Sequence, residues 1–243
     1  MNLSSSTILV TGGASGIGLA LAERFAKAGS TVVVCGRRDD VLAEAKKKGL
    51  ETIKADVSAE AERVMLAKTA IERFPKLNVL VNNAGIQRRA PFSDDTAAWA
   101  EREKEIAINF AAPAHLASLL IPHLEKQKDA AIVNVTSGLA FVPGVFAPVY
   151  CATKAAMHSL TVSMRHDLKR KSIEVIEIVP PMVNTDLGGK GLHNEGVPLD
   201  EFADAMLEGL KRGEMEIGYG FSEKARNATR AELDAISARM AQR

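Results

Sequence analysis

The sequence is poor in features that mark several protein classes. Only two cysteines, Cys35 and Cys151, occur in 243 residues. They supply neither a disulfide framework nor a zinc set, and two lone thiols fit a reducing compartment. No run approaches the ~18 consecutive apolar residues that span a bilayer. The opening MNLSSSTILVTGG carries no basic segment ahead of an apolar one; TILV goes directly into glycines instead of reading as a leader. A cytoplasmic location is therefore expected. Charge of one sign is also missing: 31 Lys+Arg against 30 Asp+Glu leave a formal charge of +1. No long-range field gathers nucleic acid or an anionic membrane, and neither is an expected partner. The five histidines, His115, His123, His158, His166 and His193, form no H-E-x-x-H array. Two pairs stand eight apart, which on helices is one shared face and points to packing or subunit contact; no metal site is expected. Internal repeats, low-complexity tracts and linkers are absent as well, so one domain is expected.

What is present is alternation. Apolar, β-branched runs predict strands near 7–11, 31–35, 51–55, 77–82, 131–136, 173–179 and 214–219. Helical patterns lie between them near 17–28, 39–48, 59–73, 96–126, 149–170 and 199–211, with a last one near 222–241. Strands apolar on both faces, alternating with helices, imply right-handed βαβ crossovers. The expected fold is α/β: a doubly wound, parallel, seven-stranded sheet with helices on both faces. The stretch TDLGGKGLHNEGVP, 185–198, has no clear period and reads as a lid or a surface excursion.

The first strand runs into Thr11-Gly-Gly-Ala-Ser-Gly-Ile-Gly18 and then a helical pattern. Gly12 permits a tight turn, Gly16 lets backbone approach a ligand, and Gly18 lets helix and strand pack closely. Amides at the helix start, including those of Ser15 and Ile17, then face an anion. This is a Rossmann-like phosphate loop with Gly-x-x-x-Gly-x-Gly spacing. The second strand ends VVVCGRR, with Gly36 where NAD sites carry an acid for the ribose 2′-hydroxyl. Arg37 and Arg38 follow, and guanidinium groups grip a 2′-phosphate. NADP(H) is expected, with NAD(H) as the alternative; Asp39 and Asp40 close by temper the preference.

Tyr150-Cys-Ala-Thr-Lys154 places a phenol and an ammonium one helical turn apart. A positive neighbour favours phenolate and draws the tyrosine pKa down. Taken alone, the pair reads equally as a tuned proton donor or as two surface residues of a helix.

Taken together these motifs resemble the short-chain dehydrogenase/reductase superfamily, in its compact single-domain branch, over nearly the whole chain. In order the sequence carries the glycine loop, Asp56-Val57 after the third strand, NNAG at 82–85, Asn109, Ser137 in NVTSG and Tyr150-x-x-x-Lys154. The resemblance implies that residues 1–243 form one dinucleotide-binding and catalytic domain, with a late lid near 185–198 and a helical tail near 221–243. It implies roles for four residues. Ser137 polarises a carbonyl, Tyr150 donates the proton, Lys154 lowers the tyrosine pKa and bonds the nicotinamide ribose, and Asn109 holds a relay water. Cofactor contacts are implied for Gly12, Ser15, Gly16, Ile17, Gly18, Arg37, Arg38, Asp56, Val57, Asn83, Ala84, Gly85, Tyr150, Lys154, Pro180, Val183 and Thr185. Two departures stand out. Pro181 replaces the glycine common after the sixth strand, which removes a donor and stiffens or displaces the nicotinamide seat. Serine at position 15 replaces the basic residue of many NADP-binding members.

Gln87, Arg88, Arg89, Leu139, Phe141, Phe146, Met182, Leu187 and Leu192 are the expected substrate-facing residues, which makes a largely apolar pocket for a small carbonyl or alcohol. An arginine turned inward would add a carboxylate or phosphate to the substrate. A looser likeness is to bacterial reductases associated with D-alanylation of teichoic acid. A β-ketoacyl-carrier-protein reductase and a non-catalytic NADP(H)-binding redox sensor are the alternatives. The apolar helices near 96–126 and 149–170 need two buried faces, so a homodimer or homotetramer is expected.

Overall fold

In the computed structural model, which describes residues 1–241, every strand of the central sheet pairs in parallel. The strands are β1 (Thr7–Thr11), β2 (Thr31–Gly36), β3 (Glu51–Lys54), β4 (Val79–Asn82), β5 (Ala131–Val135), β6 (Glu174–Val179) and β7 (Glu216–Gly218), in the order β3-β2-β1-β4-β5-β6-β7. Alternating side chains feed two cores. Ile8 and Val10 of β1 face the layer of α1 (Gly16–Lys27), α2 (Asp39–Lys47) and α7 (Leu199–Lys211), where Phe25 and Phe202 are fully buried. Leu9 faces the opposite layer, built on α3 (Glu60–Arg73), α5 (Ala112–Leu124) and the end of α6 (Pro148–Leu168). Burial on both sides explains the continuous apolar runs. The chain steps outward from β1 to β3 and then returns to β4 on the other side of β1. That reversal opens a crevice at the carboxyl ends of β1 and β4, where ligands of such sheets bind.

The expected fold class is met, with local corrections. The helix expected over 96–126 starts as α4 (Trp99–Ile106), passes through a π turn at Ala107–Ala111 and continues as α5. The run Trp99–Leu124 is long enough to cross a membrane, and an 18-residue window within it has a mean hydropathy of 1.3. Leu116, Leu120 and Leu124 nevertheless pack into the core beneath the sheet. The helix expected over 222–241 is two, α8 (Phe221–Asn227) and α9 (Arg230–Met240). Thr229 breaks it: its hydroxyl accepts from the Glu232 amide while the Glu232 carboxylate takes the Thr229 amide, a capping box. Gln242 and Arg243, at the end of the expected tail, lie outside the described residues. The 185–198 stretch has no helix, and its base is closed by a bridge between Val183 and Val197. The histidines of the two spaced pairs divide. His115 accepts from Arg63 Nε (3.0 Å), His123 bonds the Leu77 carbonyl (2.9 Å), His158 meets Glu177, and His166 is exposed.

Candidate active site

The crevice at the strand ends is the mouth of a cavity of about 1320 Å³. Ordinary ligand pockets hold roughly 300–1,000 Å³, so there is room for a dinucleotide and a second molecule. Its first wall is the glycine loop. Gly12 (φ +62°) and Gly16 (φ +53°) adopt left-handed conformations that a side chain resists. A Cβ on Gly18 would meet Asn83 Nδ2 at 2.3 Å, so this glycine serves the loop's packing from behind the wall. The loop is pinned by NNAG. Thr11 Oγ1 accepts from the amides of Asn83 (3.0 Å) and Ala84 (3.1 Å), and Asn83 Nδ2 donates to the Thr11 carbonyl (2.9 Å). The Asn83 side chain is thus committed to the loop backbone, leaving its main chain on the cavity.

At the β2 end, Arg37 and Arg38 both line the cavity. Arg37 lies 3.5 Å from Asp56. Burial alone would raise the Asp56 pKa, but hydrogen bonds from Ser58 and the charge of Arg37 hold it below its ordinary value. Asp39, at the start of α2, pairs with Lys54. Thr185 packs over the glycine loop: a Cβ on Gly16 would stand 3.7 Å from its methyl. The neighbouring bridge uses the Asn184 amide and the Met182 carbonyl, and leaves the Val183 amide free of it. Pro180 accepts from the Gly138 amide (2.9 Å), which ties the two strand ends of β5 and β6 together.

Ser137, Tyr150 and Lys154 meet on the opposite wall. Ser137 follows β5, and Pro148 starts α6 two residues before Tyr150, an accepted place for proline. Tyr150 and Lys154 are 5% and 4% exposed, with the ammonium 5.6 Å from the ring centroid. Lys154 Nζ donates to the Val135 carbonyl at 2.8 Å. Asn109 sits behind them on the π turn, an insertion often found at functional sites. Its side chain closes a two-way bond with Ile86, accepting from the amide (2.9 Å) and donating to the carbonyl (2.8 Å).

The electrostatics bear on the expected lowering of the phenol by Lys154, because both groups are buried. Burial pushes Tyr150 well above the ordinary phenol range, against a smaller opposing effect of the Ser137 hydroxyl. Burial also lowers Lys154 to about 8, with Glu177 acting the other way. The expectation assumed a fixed positive charge; here the ammonium is itself destabilised.

Of the expected substrate-facing residues, Gln87, Arg89, Leu139, Phe146, Met182 and Leu187 line the cavity. Three do not. Arg88 is held by Asp95 through two bonds of 2.9 and 3.0 Å, Phe141 packs at a tilt against His158 with ring centroids 4.5 Å apart, and Leu192 turns to solvent. Val145, His193, Phe221 and Met240 join the lining. Nothing local marks them, because loop closure and the fold-back of the tail bring them there. Met240 thereby places the end of α9 against its own domain. His158, Glu177 and Glu216 stand at metal-ligand spacing. Arg165 and Arg226 lie 3.8 and 3.7 Å from Glu216, and Thr136 and His158 engage Glu177, so the charges there are already balanced by protein groups.

The comparisons with known proteins agree with this geometry. The family model for short chain dehydrogenase matches residues 6–196. The chain is 46% identical over 247 residues to the uncharacterized oxidoreductase DltE of Bacillus subtilis (strain 168), covering 99% of this chain and 98% of that one. A solved short-chain dehydrogenase from Sphingobium yanoikuyae in complex with NADPH superposes with a TM-score of 0.78 at 28% identity, covering 96% and 93% of the two chains. A short chain dehydrogenase from Burkholderia cenocepacia J2315, in complex with NADP, shares the fold with a TM-score of 0.86 at 24% identity over 99% of each chain.

The buried ammonium generates a prediction. Below about pH 8 Lys154 is protonated in both folded and unfolded chains, and the folded state bears the whole desolvation cost. Between about 8 and the unfolded value near 10.5 the cost fades, because the folded chain sheds the proton first. Lys154→Met should therefore stabilise the ligand-free protein at pH 7 by about 1–3 kcal/mol, after allowance for the lost Val135 bond. Urea denaturation across pH 7–10 checks this: the gain should shrink as pH rises, and a destabilised variant at pH 7 would contradict it.

Proposed function

The chain belongs to the short chain dehydrogenase family, and on that premise we propose that it is an NADP(H)-dependent reductase or dehydrogenase of a small carbonyl or secondary alcohol, with Tyr150 as proton donor and acceptor. Members of the family are nicotinamide-dependent oxidoreductases, so the class of chemistry is settled by membership. The finer reading rests chiefly on one observation: the hydroxyls of Ser137 and Tyr150 and the ammonium of Lys154 converge on one cavity wall.

The bound nicotinamide supplies the hydride chemistry. The residues of this chain do the rest. Hydride arriving at a carbonyl carbon leaves charge on its oxygen, and two converging hydroxyl donors stabilise that charge. Ser137 fixes the oxygen, since its own hydroxyl accepts from the Leu139 amide at 3.1 Å and keeps its proton for the substrate. Tyr150 gives up its proton to the same oxygen. Lys154, carried one turn on, stabilises the phenolate that remains. Asn109 keeps the relay behind Lys154 in register through its paired bonds to Ile86. The apolar walls of Leu139, Phe146 and Leu187 exclude water from the reacting atoms.

NADP(H) is proposed over NAD(H) because Gly36 leaves no carboxylate at the β2 end while two guanidinium groups reach the cavity. The 2′-phosphate would compete with Asp56 for Arg37 and meet Arg38 directly. The solved Sphingobium relative in complex with NADPH supports the same choice. A homodimer or dimer of dimers is proposed as well. Phe92, Ile106, Phe110, Val149, Ala152 and Ala156 line an apolar groove on the outer face of α4 and α6, and Phe92 is 70% exposed. That is the second apolar face the long helices require. A β-ketoacyl-carrier-protein reductase would share the chemistry with a longer substrate. A redox sensor without turnover is disfavoured, since none of the four implied catalytic positions is altered.

Three outcomes are expected. Tyr150→Phe should lose nearly all turnover of aldehydes and ketones while binding NADPH within a few-fold, by calorimetry; substantial activity at neutral pH would refute Tyr150 as the acid. Arg37→Ala and Arg38→Ala should each weaken NADPH by about 1.5–3 kcal/mol with little change for NADH, and equal affinities in the unmodified protein would remove the NADP preference. Light scattering at micromolar concentration should give a mass of at least twice the 26.0 kDa chain; a monomer would mean the groove stays uncovered.

A further inference from the structure

The cavity lining is mostly apolar, and its polar groups are unevenly satisfied. The adjacent arginines after β4 have opposite fates. Arg88 is saturated by Asp95, which its guanidinium holds down to about 2. Arg89 lines the cavity, and no carboxylate among the described residues pairs with it. Its guanidinium lies over the Phe146 ring, 4.7 Å from the centroid. This cation–π contact holds the group against the ring and uses none of its N–H donors in a salt bridge. Gln87 and His193 are 6% and 7% exposed and line the same cavity, yet Gln87 Oε1 and His193 Nδ1 have no partner. Buried polar atoms are nearly always paired in folded proteins, so two orphans facing one cavity beside an unpaired cation point to a missing polar ligand.

We propose that Arg89 and His193, with Gln87 beside them, form a subsite for an anionic group, a carboxylate or a phosphate, on the carbonyl substrate. The proposal rests on the reading of Tyr150 as the acid at the substrate oxygen. Burial lowers the His193 pKa and the charge of Arg89 acts the same way, while the nearby backbone carbonyls of Thr185 and Leu187 act against them. An anion between the two reverses that repulsion, so Nδ1 gains a proton and donates it to the ligand. Gln87, turned about its terminal torsion, offers its NH₂ to the same oxygens. Of the cavity's own carboxylates, Asp56 is engaged by Arg37 at the β2 end, and Asp186 is exposed.

Matched pairs test the subsite. Oxo-acids and oxo-alkyl phosphates of graded chain length are assayed with NADPH against their methyl esters and parent alcohols, in the unmodified protein, Arg89→Leu, Arg89→Lys and His193→Ala. The same compounds are titrated calorimetrically into protein saturated with NADP⁺. The charged member of a pair should be preferred by about 10-fold or more in kcat/KM. Arg89→Leu should bring that ratio close to one, mainly through KM, and Arg89→Lys should restore part of it. The carboxylate and phosphate arms show which anion is taken. Turnover with no charge preference, or a preference that survives both Arg89→Leu and His193→Ala, overturns the subsite and leaves the reductase reading intact. If no carbonyl is turned over, the reductase reading fails and calorimetry decides the subsite. Arg89-dependent binding of acids but not esters supports it, and binding without that difference overturns it.

Discussion

A lysine ammonium taken out of water is the constraint to which the surrounding structure answers. Lys154 is almost fully enclosed, and the protein offers it one strong acceptor, the Val135 carbonyl at the end of β5. The strand ends there, so that carbonyl turns from the ladder to the side chain. Gly85 lies beside it: a Cβ at that position would make ordinary contact with Nζ at 3.7 Å. A site that destabilises its own cation is poised for a ligand that favours the charged form. Hydroxyl groups of a ribose are such a ligand, and this links the electrostatics of the cavity to the cofactor that the family uses.

Placing that cation requires α6 to lie on the sheet without slippage, and two buried polar chains do this. Asn82 donates to Asn134 (2.9 Å), which donates to Thr161 on α6 (3.0 Å). One strand over, Thr136 donates to the fully buried Glu177 (2.6 Å), whose carboxylate meets His158 at 2.9 Å. The Glu177 bond raises the His158 pKa, so the pair draws together two opposite charges below that value. Thr136 precedes Ser137, and His158 lies one turn beyond Lys154. The second chain therefore joins the element carrying Ser137 to the helix carrying Tyr150 and Lys154. Apolar packing would permit small rotations of α6, whereas directional bonds fix its register.

Much of this was legible in the sequence where the cause is local. Continuous apolar strands and intervening helices imply the parallel sheet, and the glycine loop carries its own conformational signature at Gly12 and Gly16. The Tyr150–Lys154 spacing puts both groups on one face of a helix. What the sequence hides depends on burial and on contacts between distant segments. The direction of the Tyr150 pKa follows from desolvation, which no five-residue motif reveals. Asn134 and Glu177 look like interruptions of apolar strands until their partners on α6 are seen. Arg88 and Arg89 are indistinguishable as neighbours, and only the position of Asp95 separates them. The Thr229–Glu232 capping box was readable as T-x-x-E, but the long helical pattern around it concealed the break.

The central claim is that Lys154 tunes Tyr150 once the cofactor is in place, and phenol titration tests it most directly. The chain has two tyrosines, so in Tyr219→Phe the phenolate absorbance reports Tyr150 alone. Rapid pH jumps would be followed with and without saturating NADP⁺, and again with Lys154→Met. The account predicts a phenol titrating above the ordinary ~10 in the free protein, moving down by about one unit or more with cofactor, and moving far less in Lys154→Met. A phenol that titrates at the same pH with and without cofactor, or that shifts equally without the lysine, would contradict it.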